Sequence, residues 1–196
     1  MSKKTVIILV ILAALAIFAY TKYNSMVILR EDAKTSWSNV ESEYQRRNDL
    51  IGNLVKTVKG AADFERKTLT DVIEARAKAT QTQINADNLT PENMAKFQEA
   101  QAGLSSALSR LLVTVERYPD LKANQNFLKL QDELASTENS VRTSRNRFNA
   151  AVNNYNKATK TFPNNLVAGV FGFDEMARFK ADSGSEKAPD VEFDFQ

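Results

Sequence analysis

Residues 127–162 read FLKLQDELASTENSVRTSRNRFNAAVNNYNKATKTF. Phe127, Leu130, Leu134, Thr137, Val141, Ser144, Phe148, Ala151, Tyr155, Ala158 and Phe162 recur in alternating steps of three and four. Residues three and four apart share one face of a helix, so this spacing draws a single seam along about five heptads. Neither Gly nor Pro interrupts the seam, and Pro163 stops it. A helix with one long apolar seam buries it against other helices, so the stretch predicts an all-helical protein and asks where the partner helices lie.

They lie upstream. Tyr118-Pro119-Asp120 reads as a chain reversal with Pro at the first turn position; a recognition loop is the functional alternative. Before it, Met94, Phe97, Leu104, Leu108, Leu111, Val115 and Tyr118 form a second stripe that also carries Gln101, and Thr90 before Pro91 supplies an N-cap with Pro at the first helical position. Residues 85–88 break the chain again, after a stretch from about Phe64 to Ile84 with Leu69, Val72, Ile73 and Ala79. The first stripe runs Met26, Leu29, Ala33, Trp37, Val40, Tyr44, Ile51, Leu54 and Val58, with Arg47 in line between Tyr44 and Ile51. Gly52 and Gly60 are its first candidate bends, and no stretch alternates with the period of two that marks strands. Four amphipathic stretches with short joints predict a four-helix up-and-down bundle of long helices with antiparallel neighbours. A long parallel coiled-coil dimer is the alternative; the short breaks at 85–91 and 118–124 favour folding back, and oligomerisation is left open.

Thr5 to Tyr20 reads TVIILVILAALAIFAY, and Val6 to Ala19 is fourteen apolar residues without a polar break, behind Lys3 and Lys4. Sixteen helical residues reach about 24 Å against a hydrocarbon layer of about 30 Å, a deficit that snorkelling Lys3, Lys4 and Lys22 and interfacial Tyr20 and Tyr23 can absorb. A cleaved signal peptide ending at Ala14-Leu15-Ala16 is the rival, but Ile17 to Tyr20 carry the apolar run past that site. The expected partner is therefore a lipid bilayer, met through Val6 to Ala19 in a single pass. Lys3 and Lys4 bias the amino-terminal side inwards and Lys22 and Arg30 dilute the bias. Neither Gly nor Pro occurs from Ser2 to Ile51, so the anchor is able to run unbroken into the first body helix. The expected division is an anchor over 1–22, a helical domain over 23–173 and an acidic tail over 174–196.

The composition narrows the chemistry. The 196 residues contain no Cys and no His, which removes disulfides, lipidated or nucleophilic thiols, the commonest metal ligand and the usual base near neutrality. A Ser-His-Asp or Cys-His centre is excluded, as is a bundle di-iron site built on Glu-x-x-His. No glycine loop has the context of a phosphate cradle. A pair of carboxylates doing acid–base work is the enzymatic alternative, although nothing in the sequence brings two into a pocket. The net charge of +2 gives no pull towards nucleic acid. It divides into −4 from Asp174 onward and +6 before it, which fits either a docked or a solvated tail.

Arg46, Arg47 and Asp49 are the densest charged knot near a seam. They read either as a contact for a partner or lipid phosphate, or as a register-setting device in which Arg47 meets an acid on a facing helix such as Glu138. Asn149, Asn153, Asn154 and Asn156 beside Tyr155 read as a polar groove or as a solvated face. Leu166 to Phe173 caps one end of the bundle or forms an exposed patch. Val191 to Phe195 alternates apolar and acidic residues, a pattern that reads either as a tail adding to a partner's sheet edge or groove or as a segment docking on its own bundle.

Several blocks together carry a resemblance: Tyr23-Asn24-Ser25, Arg46-Arg47-Asn48-Asp49-Leu50-Ile51, Asn53 to Gly60, Glu74-Ala75-Arg76-Ala77, Tyr118 to Asn124, Ala135-Ser136-Thr137-Glu138-Asn139, Asn153-Asn154-Tyr155-Asn156, Phe162-Pro163, Gly172-Phe173 and Pro189 to Phe193. In this order they resemble the LemA family of bacterial membrane proteins, over nearly the whole body. The resemblance implies an N-terminal transmembrane helix, a four-helix bundle and no established enzymatic activity. It also implies a short N-terminus outside the cell, against the charge bias of Lys3 and Lys4. Gly52 stands where many members have Pro, Phe64 where a His is usual and Phe148 where a Tyr is common, so a role resting on that His cannot operate here. The expected function is a non-enzymatic, membrane-anchored interaction or scaffold module at the bacterial envelope, without cofactor or metal and with an unidentified protein partner. A peripheral lipid-binding or envelope-stability protein using Arg46, Arg47, Arg142, Arg145 and Arg147 is the alternative.

Overall fold

The computed structural model describes residues 2–60 and 64–180, and all its regular structure is helical. The elements are α1 (Lys3–Lys59), α2 (Arg66–Gln81), α3 (Pro91–Val115), α4 (Pro119–Lys122), α5 (Gln125–Lys160) and α6 (Asn164–Phe171). Helix α1 has 57 residues, about 85 Å of unbroken rod. Its first part stands clear of the protein: Val6 to Ile17 are exposed on every side. The same helix is long and apolar enough there to cross a membrane. From Met26 onward one face is buried, through Ala33, Trp37, Val40, Tyr44, Ile51, Leu54 and Val58.

Helix directions emerge from contacts across the seams. Arg76 on α2 donates from Nε to the Asn48 carbonyl at 2.8 Å, and the Trp37 indole donates to the Ile84 carbonyl just beyond α2 at 3.1 Å. α2 therefore runs back along α1. α3 resumes the direction of α1, with Phe97 against Trp37 and Tyr44 at 5.4 and 5.0 Å and Ser105 beside Arg47. α5 returns, placing Glu138 at Arg47 and Phe148 against Trp37 at 5.2 Å. The caps agree with the local sequence: Thr90 accepts from Asn93 N ahead of Pro91, and Asn124 accepts from the amides of Asn126 and Phe127.

The core has three layers. Farthest from the anchor, Ile51, Leu54, Val58, Leu104, Leu111 and Phe127 pack together. The middle layer is aromatic, around Trp37, Tyr44, Phe97, Phe148 and Phe179. Nearest the anchor, Met26 and Tyr155 pack with Val167, Ala168 and Phe173, against Phe18 and Ala19 at the end of the apolar run. Lys34 Nζ lies 2.6 Å from Asp87 Oδ1, tying the 82–90 loop to α1. That pair lowers the Asp87 pKa and raises the Lys34 pKa. Its contribution is lost as pH falls through the depressed carboxyl value or rises through the elevated amine value.

Two expectations are corrected. Phe162, placed on the α5 seam, is 75% exposed, because the helix ends at Lys160 ahead of Pro163. Over its last turns the buried face of α5 moves from the 3.5-residue seam to Val152, Asn156 and Thr159, since an undistorted α-helix drifts about 20° per heptad. Ile73 on α2 is likewise exposed.

Phe148 meets the rings of Trp37 and Phe179 in the middle layer and is fully buried. Phe148→Ala is expected to destabilise the full chain in detergent micelles by about 3–5 kcal/mol, read by urea unfolding on Trp37 fluorescence.

Candidate functional site

Two polar arrangements interrupt the apolar core. The first centres on Arg47, only 3% exposed although it lies on an apolar stripe. Its Nη2 donates to Ser105 Oγ at 2.7 Å, and its Nε stands 2.7 Å from Glu138 Oε1. The second contact is ionic in character, since the Nε–H is not aimed at the oxygen. Ser105 in turn donates to the Gln101 carbonyl one turn back. A cleft of about 270 Å³ opens here between α3 and α5, lined by Arg47, Gln101, Ser105, Glu138 and Arg145. Glu138 is 46% exposed at its side chain, so water reaches the acidic end of the pair and not the basic end.

The second arrangement holds an extended strap, residues 173–180, between α3 and α5. Asn156 donates from Nδ2 to the Met176 carbonyl at 2.8 Å and accepts the Met176 amide on Oδ1 at 3.0 Å. Asn149 does the same for Phe179, at 3.2 and 2.9 Å. Across the groove, Gln98 pairs with both backbone groups of Lys180, and Ala177 N donates to the Leu89 carbonyl. Tyr155 donates its hydroxyl to the Asp174 carbonyl at 2.8 Å. The spacing matches: seven helical residues from Asn149 to Asn156 rise about 10.5 Å, and three extended residues from Met176 to Phe179 span about 10 Å. Each carboxamide carries a donor and an acceptor and so pairs with the N–H and C=O of one residue as a neighbouring strand would. Phe179 completes the fit, stacked on Trp37 at 5.9 Å and covered by the Arg145 guanidinium 4.6 Å from its ring centre. Gly172 makes the entry: at φ 68° it takes the left-handed conformation that ends α6 and turns the chain into the groove.

Burial governs the titrating groups nearby. It raises the Tyr155 hydroxyl, partly offset by Arg30, so the phenol stays a donor to Asp174. It also raises Glu41, with the Trp37 indole opposing, beside a cleft of about 390 Å³ between α1, α2 and α3.

The structure separates the charged knot. Arg47 is buried, whereas Arg46 and Asp49 face outwards, and Asp49 accepts from Gln45 one turn away. Tyr118 packs on Phe64 at 4.9 Å, next to an exposed Pro119 that opens α4. Tyr155 is buried in the layer nearest the apolar run, and Phe162 is exposed. Of the four asparagines singled out, Asn149 and Asn156 clasp the strap, and Asn153 accepts from Arg178. Gln98, Phe179 and the strap itself carry no signature of a site in the sequence; the one signal is the seven-residue spacing of Asn149 and Asn156 at the edge of the seam. Asp174 to Lys180, assigned to the acidic tail, include the docked strap, and the Val191–Phe195 motif lies outside the described residues. Among the described residues no cluster of three or more acids is placed to hold a metal. The chemistry on offer is recognition of backbone and ring faces.

An exposed apolar helix continuous with an all-helical body defines a membrane-associated helical protein. The chain belongs to the LemA family, whose model matches residues 36–193. Magnetosome protein MamQ 2 of Paramagnetospirillum magneticum is 26% identical over 198 residues, covering 88% of this chain and 71% of that protein. Magnetosome protein MamQ of Magnetospirillum gryphiswaldense is 27% identical over 175 residues, covering 81% and 64%. Protein LemA of Metamycoplasma hominis is 24% identical over 165 residues, covering 84% and 72%.

Asn156→Ala and Asn149→Ala each remove two bonds to the strap. Each is expected to raise amide exchange at Met176 and Phe179 about fivefold or more, as the loss of about 1–3 kcal/mol of local stability requires, leaving α1 amides unchanged. Glu41→Gln is expected to stabilise the protein at neutral pH. Its raised folded-state pKa means the ionised carboxylate opposes folding, so the gain shrinks as pH falls through that raised value and is gone below the ordinary value of 4.5. Urea midpoints of both proteins across that range check the sign.

Proposed function

We propose that this chain is a single-pass, non-enzymatic protein of the bacterial envelope that presents a four-helix up-and-down bundle at the bilayer surface as an interaction or scaffold module. The observation that carries the reading is the continuity of α1, in which the apolar segment and the seam of the body are one helix without Gly or Pro up to Ile51. Such a tether holds the body at a set height and rotation, unlike a flexible linker. The alternation of direction through α1, α2, α3 and α5 supports the bundle, and the names of the relatives state no reaction. Lys3 and Lys4 favour an inside amino-terminal flank and an outside body.

The lipid-binding alternative is weaker than its residues imply. Arg47 is buried against Glu138 and Ser105, and Arg145 lies over Phe179, which leaves Arg46, Arg142 and Arg147 outward-facing. Photoreactive residues at Ile73 and Leu128, both exposed, distinguish the two in intact cells. The scaffold reading expects discrete protein adducts that are lost or redistributed when a Gly-Pro pair is inserted after Asn24. Unchanged adducts count against the stiff tether, and adducts with lipid alone count against the scaffold.

A further inference from the structure

Helix α6 is apolar on both faces. Val167 and Ala168 are buried against α1 and Tyr155, while Leu166, Val170 and Phe171 are 62%, 79% and 52% exposed, and Phe162 just before the helix is 75% exposed. From Thr161 to Phe173 no residue carries a charge. A soluble surface seldom leaves such a cluster bare, and its position on the rod shows what covers it. The inner face of α6 packs at Phe18 and Ala19, where the apolar run ends, and Phe171 and Phe173 meet Tyr23 edge-on at 5.0 and 5.5 Å. The exposed face is thus continuous with the surface of the span itself. Tyr23 stands at this level with Tyr20 one turn before it and Lys22 beside it, and Lys157 and Lys160 close the last turn of α5 just before Phe162, Lys160 paired with Glu175 at 2.6 Å; aromatic and basic residues of this kind are the surroundings of a membrane–water boundary.

We propose that α6 is a second bilayer contact: Phe162, Leu166, Val170 and Phe171 insert into the interfacial region of the leaflet from which the span emerges. The inference rests on α1 crossing the bilayer. Val6 to Ala19 rise only about 20 Å against about 30 Å of hydrocarbon, and the apolar face of α6 adjoins the end of that run at Phe18 and Ala19. Insertion of α6 gives the body two points of attachment, which fixes its tilt as well as its height.

The absence of Cys allows a direct test with nitroxide labels on single cysteines in the full chain, reconstituted in vesicles of phosphatidylethanolamine and phosphatidylglycerol. The positions are V170C and L166C on α6, L12C within the span, and V113C, an exposed site on α3 far from the anchor. Collision rates with oxygen and with a water-soluble nickel chelate report depth. The expected result is that V170C and L166C collide several-fold less with the chelate, and more with oxygen, than V113C does, at a depth between L12C and water. If V170C matches V113C while L12C is lipid-embedded, α6 lies in water and the proposal fails with the anchor intact. If V170C is shielded from both reagents, protein covers the patch and the proposal fails as well. If L12C itself meets the chelate, the anchor reading fails and takes this inference with it.

Discussion

One hydrogen-bonded rod sets the terms for everything else in this molecule. An apolar segment able to cross a bilayer has to be helical, because backbone groups in hydrocarbon have no water to bond, and a helix once formed propagates cheaply into the adjoining residues. The chain beyond Tyr20 offers no reason to stop: no Gly or Pro until Gly52, and a seam from Met26 to Val58 that the other helices cover. The consequence is geometric. Each residue of a helix advances about 1.5 Å and turns about 100°, so the apolar segment and the seam are locked in height and in angle. A single inserted residue between Tyr20 and Met26 would rotate the entire body by that angle, which no flexible linker would transmit.

Apolar seams alone define helix pairing poorly, because a seam of repeating character packs almost as well after sliding by a turn or a heptad. Position-specific contacts remove that freedom. Arg47 reaches Ser105 and Glu138 on two different helices, and the Trp37 indole reaches one carbonyl at the end of α2. Sliding α5 by one turn would leave a guanidinium that is only 3% exposed without its carboxylate, a far larger penalty than the apolar mismatch. The strap extends the same logic to an irregular segment. Asn156 and Asn149 satisfy the part-buried peptide groups of Met176 and Phe179, and Gln98 pairs with those of exposed Lys180.

The helices are legible in the sequence because a period near 3.6 repeated over many turns is compatible with little besides a helix, and Thr90-Pro91, Tyr118-Pro119 and Pro163 punctuate it. Arg47 is legible on the same grounds: a cation in line with Tyr44 and Ile51 has to be buried, and a buried cation needs an acid opposite. The strap is not legible, because recognition there runs through backbone groups that every residue possesses. Met176 and Phe179 have no periodic signature, and only the carboxamides that clasp them are particular. Phe162 misleads for a different reason. Its 3-4 spacing continues the α5 seam, but the helix has already ended at Lys160, and spacing means nothing outside a helix.

The three layers of the core are chained together in a definite order. The layer nearest the apolar run contains α6 and Phe173; Gly172 and the strap leave that layer and end at Phe179, inside the aromatic middle layer against Trp37. Clamps at Met176 and Phe179 leave no slack between them, since three extended residues just span the distance between Asn156 and Asn149. A displacement of α6 relative to α1 therefore cannot be absorbed within the strap. It has to move Phe179 in its aromatic setting or break the hydrogen bonds to the strap one by one, beginning with the Tyr155 hydroxyl on the Asp174 carbonyl and then the Asn156 carboxamide on Met176. The aromatic layer in turn holds α2 through Trp37 and Ile84, and α3 through Phe97. Packed aromatic layers shift between discrete arrangements and do not deform smoothly, so the end of the body at the apolar span and the faces of α2 and α3 farther along the rod are mechanically one unit.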